Sequence, residues 1–191
     1  MTFNQERKEE ALARQQSTLD KLVREKEFFV FLCGPSSKKQ SDDSELRKWL
    51  HCTLKNHGFT VVLGEDDGLE EPRLKRGADA QTNEVQFLRM SKNVAVIIIA
   101  SSVGSFCELG LFSGLYAENR DKGGFDQNVD PFFVIFNEEF KDDKSYIREG
   151  PIKIVDEEAN VYFSTFTDFE EKYFPDLLQK LRGKRVRSLD V

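Results

Sequence analysis

The sequence predicts an α/β domain built on an open, mostly parallel five-stranded sheet with helices on both faces. Apolar runs and helix-like segments alternate along the chain, which is the pattern of repeated βαβ units. The strand-like runs are apolar throughout, as expected where both faces of a sheet are covered. With right-handed crossovers, we expect the flavodoxin-like strand order 2-1-3-4-5.

A polar, helix-prone segment precedes the first strand. Residues 4–26 carry a thin apolar stripe at helical spacing. Such a helix gains little stability alone and needs a surface to bury its stripe. We therefore expect residues 1–26 to form a docking or oligomerisation helix, through which the chain joins a homo-oligomer or a larger complex. The α/β domain then spans residues 27–183, and residues 184–191 form a basic tail.

Two strand–helix pairs open the domain. Phe28–Cys33 is an apolar run that ends at a Gly-Pro pair, and so predicts a buried strand followed by a loop. A helix from about Asp42 to Asn56 can be capped by Ser41 or Asp42. Its predicted apolar face consists of Leu46, Trp49, Leu50 and Leu54. His57-Gly58 ends this helix before a second apolar strand, Phe59–Leu63, and the glycine- and charge-rich residues 64–78 form a loop.

The second half of the chain repeats the alternation. A helix from about Asp79 to Met90 directs Val85, Leu88 and Met90 inward, and capping explains Asn83 and Glu84 at its start. Val94–Ala100 is rich in β-branched residues and is the clearest strand. The later predicted elements are the turn Ser101–Ser105, a helix to about Glu118, the loop 121–130, the strands Phe132–Phe136 and Val161–Phe166, and a closing helix Asp168–Leu181, which Pro175 kinks or splits.

Composition limits the classes of function. The chain has 191 residues, 39% of them hydrophobic, with 17 Phe, which suits one domain with a sizeable core. A net charge of −6 argues against a general nucleic-acid binder, which needs a surplus of cations. The basic residues near the C-terminus are interpreted as a solvated tail: Lys180, Arg182, Lys184, Arg185 and Arg187.

Cysteine and histidine usage indicates neither a disulfide scaffold nor a metal site. The three Cys and two His show no metal-ligand spacing, and we expect no metal and no cofactor. Reduced thiols suit a cytoplasmic protein. The charged N-terminus lacks the apolar region of a signal peptide, and the longest apolar run, Val94–Ala100, is too short to cross a bilayer.

Ligands of open parallel sheets bind at the carboxyl ends of the strands, where the strand order reverses. In the predicted order, strands one and three flank that crevice. The loops that follow them supply the predicted substrate-binding residues Gly34, Pro35, Ser36, Ser101, Ser102, Gly104 and Ser105. After strand two, Asp66 and Asp67 are candidates to hold a ribose hydroxyl, although solvation of a charged loop is the default interpretation.

Glu108 is the candidate catalytic residue at this edge. An acid in the first turn or so of a helix can simply favour the helix dipole. However, the stretch from Ser102 to Gly110, SVGSFCELG, resembles the nucleophile motif of the nucleoside 2-deoxyribosyltransferase-like family, which ends in Glu-Leu-Gly. The resemblance implies cleavage of an N-glycosidic bond, in which Glu108 attacks or stabilises the anomeric carbon.

The resemblance departs from the family at one place. The deoxyribosyltransferases carry an Asp ahead of the Glu that helps the base to leave, and here the matching position is Ser101 or Ser102. A hydroxyl is a poor general acid near neutral pH. The substitution favours a leaving group that is already cationic, such as the nicotinamide of NAD.

TIR domains, whose Glu also follows the third strand, look similar around Ser105-Phe106-Cys107-Glu108. Both families include bacterial antiviral effectors, which makes an antiviral N-glycosidase acting on NAD our first expectation. The alternatives are a non-catalytic nucleotide-sensing module, a deoxyribosyltransferase that exchanges bases, and a partner-binding subunit.

Overall fold

The computed structural model of the protein describes residues 28–36, 38–64, 79–90, 93–121, 131–142, 144–156 and 160–187. The predicted N-terminal helix, the acidic pair Asp66 and Asp67, and the loop residue Ser37 lie outside these residues. Their predicted roles therefore stay predictions.

The described residues form one five-stranded sheet in the order β2-β1-β3-β4-β5. All four strand pairs are parallel, so the predicted fold class and strand order are confirmed. The strands are β1 (Phe29–Cys33), β2 (Thr60–Leu63), β3 (Val94–Ala100), β4 (Phe132–Asn137) and β5 (Val161–Ser164).

Helices connect the strands in sequence order. The main helices are α1 (Asp42–Asn56), α2 (Ala80–Met90) and α3 (Val103–Asp121). After β4 come a 3-10 turn (Glu138–Phe140), a π-helical turn (Arg148–Ile152) and the short helix α4 (Lys153–Asp156), none of which the sequence predicted. The chain closes with α5 (Phe169–Lys172) and α6 (Phe174–Arg187). The split at Tyr173, two residues before Pro175, is the break that the proline predicted.

The sheet separates two hydrophobic cores. One core joins β1, β3 and β4 to α1 and α6, through residues such as Leu50, Leu54 and Leu177. The other lies beneath α2 and α3, with Leu88, Leu109 and Phe112 among its members. β3 is buried over its whole length because helices cover both of its faces, which explains why its sequence is apolar throughout.

Several boundaries and roles differ from the prediction. Asp79 caps α2 by accepting a 2.7 Å hydrogen bond from Thr82 N. Capping therefore does not explain Asn83 and Glu84, which are buried on the next turn. The closing helix continues to Arg187, so the first part of the predicted basic tail is helical.

Candidate functional site

The candidate site lies at the carboxyl ends of β1 and β3, where the strand order reverses. Gly34 directly follows β1 and has φ +151°. A Cβ built on Gly34 would lie 3.1 Å from Ile99 Cβ and 3.4 Å from Arg47 Cδ. The backbone after β1 thus passes so close to β3 that a glycine is required, for its conformation as well as for space.

Two buried polar residues of α1 hold the loop that follows β1. Arg47, only 3% exposed, donates hydrogen bonds to the carbonyl oxygens of Leu32 (3.1 Å) and Pro35 (3.2 Å). Ser44 Oγ donates to the Ser36 carbonyl at 3.0 Å. Of the predicted binding residues in this loop, Pro35 is buried and Ser36 is exposed. The loop therefore has a defined shape, with Ser36 on its accessible side.

Asp43 joins this loop to the end of β3. Its Oδ2 accepts a 2.5 Å hydrogen bond from Ser101 Oγ, and its Oδ1 accepts from Ser44 N at 2.8 Å and from the Ser41 hydroxyl. Burial acts to raise the pKa of Asp43, but the hydrogen bonds from Ser101, Ser41 and Ser44 outweigh it and hold the pKa below its usual value. Asp43 is thus an ionised acceptor at neutral pH.

The hydroxyls of Ser102 and Ser105 form the N-terminal cap of α3. Ser102 Oγ accepts from Ser105 N at 3.3 Å, and Ser105 Oγ accepts from Ser101 N (3.1 Å) and Ser102 N (2.9 Å). This is a reciprocal capping arrangement in which a serine takes the place of the usual Glu or Gln. Ser105 is 1% exposed. Both residues therefore have a structural role, and their contact with a ligand stays a prediction.

Glu108 lies in the second turn of α3, since the helix begins at Val103. The prediction placed it in the first turn or so, where the helix dipole acts; at its observed position that effect has largely faded. The residue is half-buried, and its Oε2 atom has almost no solvent contact. Side chains of a helix lean toward its N-terminus, which for Glu108 is the carboxyl edge of the sheet.

The two flanks of α3 differ in chemistry. Phe106 contacts the rings of Phe136 and Phe140, with centroids 6.2 and 6.1 Å apart, so this flank faces β4. Glu108 is two positions further on, about 200° around the helix axis, and faces away from β4. The carboxylate therefore lies on the side of α3 nearer to β1, where the strand order reverses.

Sequence reasoning missed Asp43, Arg47 and Arg148 at this edge. Arg47 shares a helix face with Leu50 and Leu54, a spacing that signals burial. Arg148, in the π-helical turn, stacks over the ring of Phe163 at 4.8 Å. Its Nη1 atom is buried and has no hydrogen-bond partner among the described residues. The peptide sequence around Arg148 gives no comparable signal.

The fold is that of an open parallel α/β protein with its strand order reversing between β1 and β3, and ligands of such sheets commonly bind at that reversal. The family model of the STM3845 retron effector protein matches residues 43–189, which are 147 of the 191 residues. The chain belongs to this family. The expected role as an antiviral-defence effector is thereby confirmed at the level of the family. No curated protein gives a significant match to the chain.

Among the described residues, no helix has both the length and the apolar character needed to span a membrane.

Proposed function

We propose that this effector is an N-glycosidase that cleaves the base–sugar bond of a nucleotide, with NAD as the favoured substrate and Glu108 as the catalytic carboxylate. The observation that carries the proposal is the position of Glu108. It projects from α3, the helix that starts at the carboxyl end of β3, on the flank away from β4. Ligands of open parallel sheets bind at this edge.

The surroundings of Glu108 suit a reaction that develops positive charge on the sugar. A half-buried carboxylate with one oxygen withdrawn from water stabilises an oxocarbenium-like centre more strongly than a solvated one. In the proposed step the C–N bond breaks, and its electron pair goes to the nicotinamide nitrogen, which becomes neutral. The Glu108 carboxylate either stabilises the cation or forms an ester with the anomeric carbon. Water then completes the hydrolysis and releases a proton.

Asp43 supports the preference for a cationic leaving group. It brings a carboxylate to Ser101, near the position where the deoxyribosyltransferases carry their acid. Because its pKa is held below the usual value, Asp43 holds no proton at neutral pH that it could give to a departing base. It suits the role of an acceptor that orients Ser101. A base that leaves without protonation fits this arrangement, as nicotinamide does.

One observation favours a second candidate, a non-catalytic nucleotide-sensing module. The hydroxyls of Ser101, Ser102 and Ser105 all make internal hydrogen bonds, which stabilise the turn whether or not chemistry takes place there. This second candidate requires no catalytic carboxylate at Glu108, so the effect of Glu108→Gln on base release distinguishes the two.

The test is incubation of the purified full chain with NAD, followed by mass detection of nicotinamide and ADP-ribose. Glu108→Gln keeps the shape and removes the charge, and we expect it to abolish base release. Glu171→Gln, at an exposed acid of α5, is the matched control and should keep full activity. Binding of NAD without release of base by the unmodified protein would support the sensing module, and unchanged turnover by Glu108→Gln would remove Glu108 from the mechanism.

A further inference from the structure

Arg148 is a cation without an anion among the described residues. The residue is half-buried, and its Nη1 atom, which has almost no solvent contact, has no hydrogen-bond partner in that part of the chain. The guanidinium carbon lies 4.8 Å from the centre of the Phe163 ring. The neighbouring acid, Glu149, pairs with Lys153 at 3.5 Å instead. A charge withdrawn from water is normally paired, so we expect an anion from outside the chain.

The backbone that carries Arg148 has an uncommon geometry. Arg148–Ile152 forms a π-helical turn, which occurs mostly as a single turn and often at functional sites. Pro151 and Ile152 of this turn are buried. At the other end, Arg148 N donates to the Ser145 carbonyl at 3.1 Å. The guanidinium is therefore carried by a packed turn.

Arg148 lies at the edge of the sheet that holds the candidate site. Phe163 is the last residue but one of β5, and the strand register aligns it with Phe136 near the end of β4 and, through Phe136, with Ala100 at the end of β3. The rings of Phe136 and Phe163 stack with centroids 5.9 Å apart, and Phe106 contacts Phe136. A row of aromatic side chains thus runs from the start of α3 to Arg148.

The position of Arg148 limits which phosphate of a substrate it can bind. β3 and β5 are two strand spacings apart, about 10 Å, and Glu108 lies on the flank of α3 away from β4. The 5′-phosphate of the reacting ribose is only a few bonds from the anomeric carbon, so it does not reach Arg148 when that carbon lies at Glu108. The second nucleotide of a dinucleotide extends further, across the start of α3, where a Cβ built on Gly104 meets nothing within 4 Å.

We infer that Arg148 binds the distal half of a dinucleotide substrate, at the phosphate that carries the second nucleoside. The planar guanidinium holds phosphate oxygens through two parallel N–H groups, and the phosphate supplies the missing anion. This inference rests on the proposed function and deepens it, because it makes the protein selective for NAD over nicotinamide mononucleotide.

The test compares NAD with nicotinamide mononucleotide, which has the same scissile bond and lacks the second nucleotide. Mass detection of nicotinamide gives kcat/KM for each. We expect the full chain to prefer NAD by about tenfold or more, and Arg148→Gln to remove most of this preference without changing cleavage of the mononucleotide. Arg148→Lys keeps the charge but loses the planar fork, and should retain part of the preference. Lys141→Gln, at an exposed lysine after β4, is the control and should retain all of it.

A binding measurement separates this inference from the proposed function. ADP-ribose keeps the distal half of NAD and lacks the nicotinamide. In calorimetry, Arg148→Gln should weaken its binding by about tenfold, even if the protein releases base from neither nucleotide and the proposed function fails. No binding of ADP-ribose by the unmodified chain, unchanged affinity in Arg148→Gln, or equal cleavage of NAD and the mononucleotide would overturn the inference.

Thermal unfolding shows whether the variants are folded. We expect Arg148→Gln to unfold at the same temperature as the unmodified protein or higher, because it removes a charge that has no partner among the described residues. If Arg148→Gln does not fold, Arg148→Lys decides the question, since it keeps the charge and should still lose a measurable part of the affinity for ADP-ribose.

Discussion

The Ser101 hydroxyl donates a 2.5 Å hydrogen bond to Asp43 Oδ2 and so joins the end of β3 to the first turn of α1. The two residues are 58 positions apart in sequence. They come together because β1 and β3 are neighbours in the sheet. This bond fixes the start of α1 to the end of β3 at the edge of the sheet where the proposed chemistry takes place.

Replacing Asp43 tests how much its hydrogen bonds contribute to the free energy of unfolding. We expect Asp43→Ala to lower the free energy of unfolding at pH 7 by about 1–3 kcal/mol, because several donors lose a charged acceptor. Urea denaturation measures the change. Asp42→Ala, at an exposed acid of the same helical turn, controls for the helix dipole and should cost less. Equal losses for both variants would show that the hydrogen bonds of Asp43 contribute little.

Asp43→Ala also gives a pH dependence of stability with a defined sign. The folded pKa of Asp43 lies below its usual value of 3.8, so its stabilisation is complete at pH values well above 3.8. It is lost as the pH falls through the folded value. The stability difference between the unmodified protein and Asp43→Ala should therefore shrink on acidification. A difference that stays constant or grows toward acidic pH would contradict the lowered pKa.

Two predicted binding glycines should respond in opposite ways to alanine. At Gly34, with φ +151° and Ile99 Cβ 3.1 Å from the added methyl, we expect a loss of about 1–3 kcal/mol in unfolding free energy. At Gly104, a Cβ meets nothing within 4 Å, and the helical position favours alanine by about 0.5–1 kcal/mol. Thermal unfolding compares the two variants.

Gly104→Ala also tests the binding prediction separately from folding. If Gly104 allows a substrate to approach the backbone, the variant should fold at least as well as the unmodified protein and release base more slowly. Full activity together with higher stability would show that Gly104 is not needed at the site.

Arg47 should be essential for the shape of the loop after β1. Arg47→Met keeps the apolar stem but removes the donors to Leu32 and Pro35, leaving two buried carbonyls without them. We expect a loss of about 2–4 kcal/mol in unfolding free energy, measured by urea denaturation. Lys48→Met at the next position removes only an exposed ion pair with Glu45, which is worth little. A comparable loss for both variants would contradict this role of Arg47.

The parts of the fold that sequence reasoning predicted are those with a local physical cause. β3 was predicted as Val94–Ala100 and observed over the same residues, because a fully buried strand must be apolar at every position. The range of α1 was also predicted correctly, because the apolar spacing of the helix and the glycine that ends it, Gly58, both occur within one short stretch of sequence.

The missed parts of the site depend on contacts between distant segments. Asp43 looks like an ordinary acid of a first helical turn until β3 brings Ser101 beside it. Arg47 was assigned no role because its partners are backbone carbonyls, which carry no sequence signal. The cap formed by Ser102 and Ser105 corresponds to a Ser-x-x-Ser pattern at the start of a helix. The sequence prediction interprets the same two hydroxyls as ligand contacts.

The last prediction concerns the leaving group. We expect NAD to be cleaved well ahead of deoxyadenosine at equal concentration, because nicotinamide leaves as a neutral base without protonation, whereas adenine leaves poorly unless it is protonated. Asp43 contacts Ser101, which stands where the deoxyribosyltransferases carry their acid. Its hydrogen bonds keep Asp43 ionised. General acid catalysis contributes about a hundred- to ten-thousand-fold in rate, so the preference for NAD should be large. Mass detection of both free bases measures it. Efficient cleavage of deoxyadenosine with NAD left intact would mean that another residue supplies the acid, and Asp66 and Asp67, which follow β2 in the sequence, would be the first to replace.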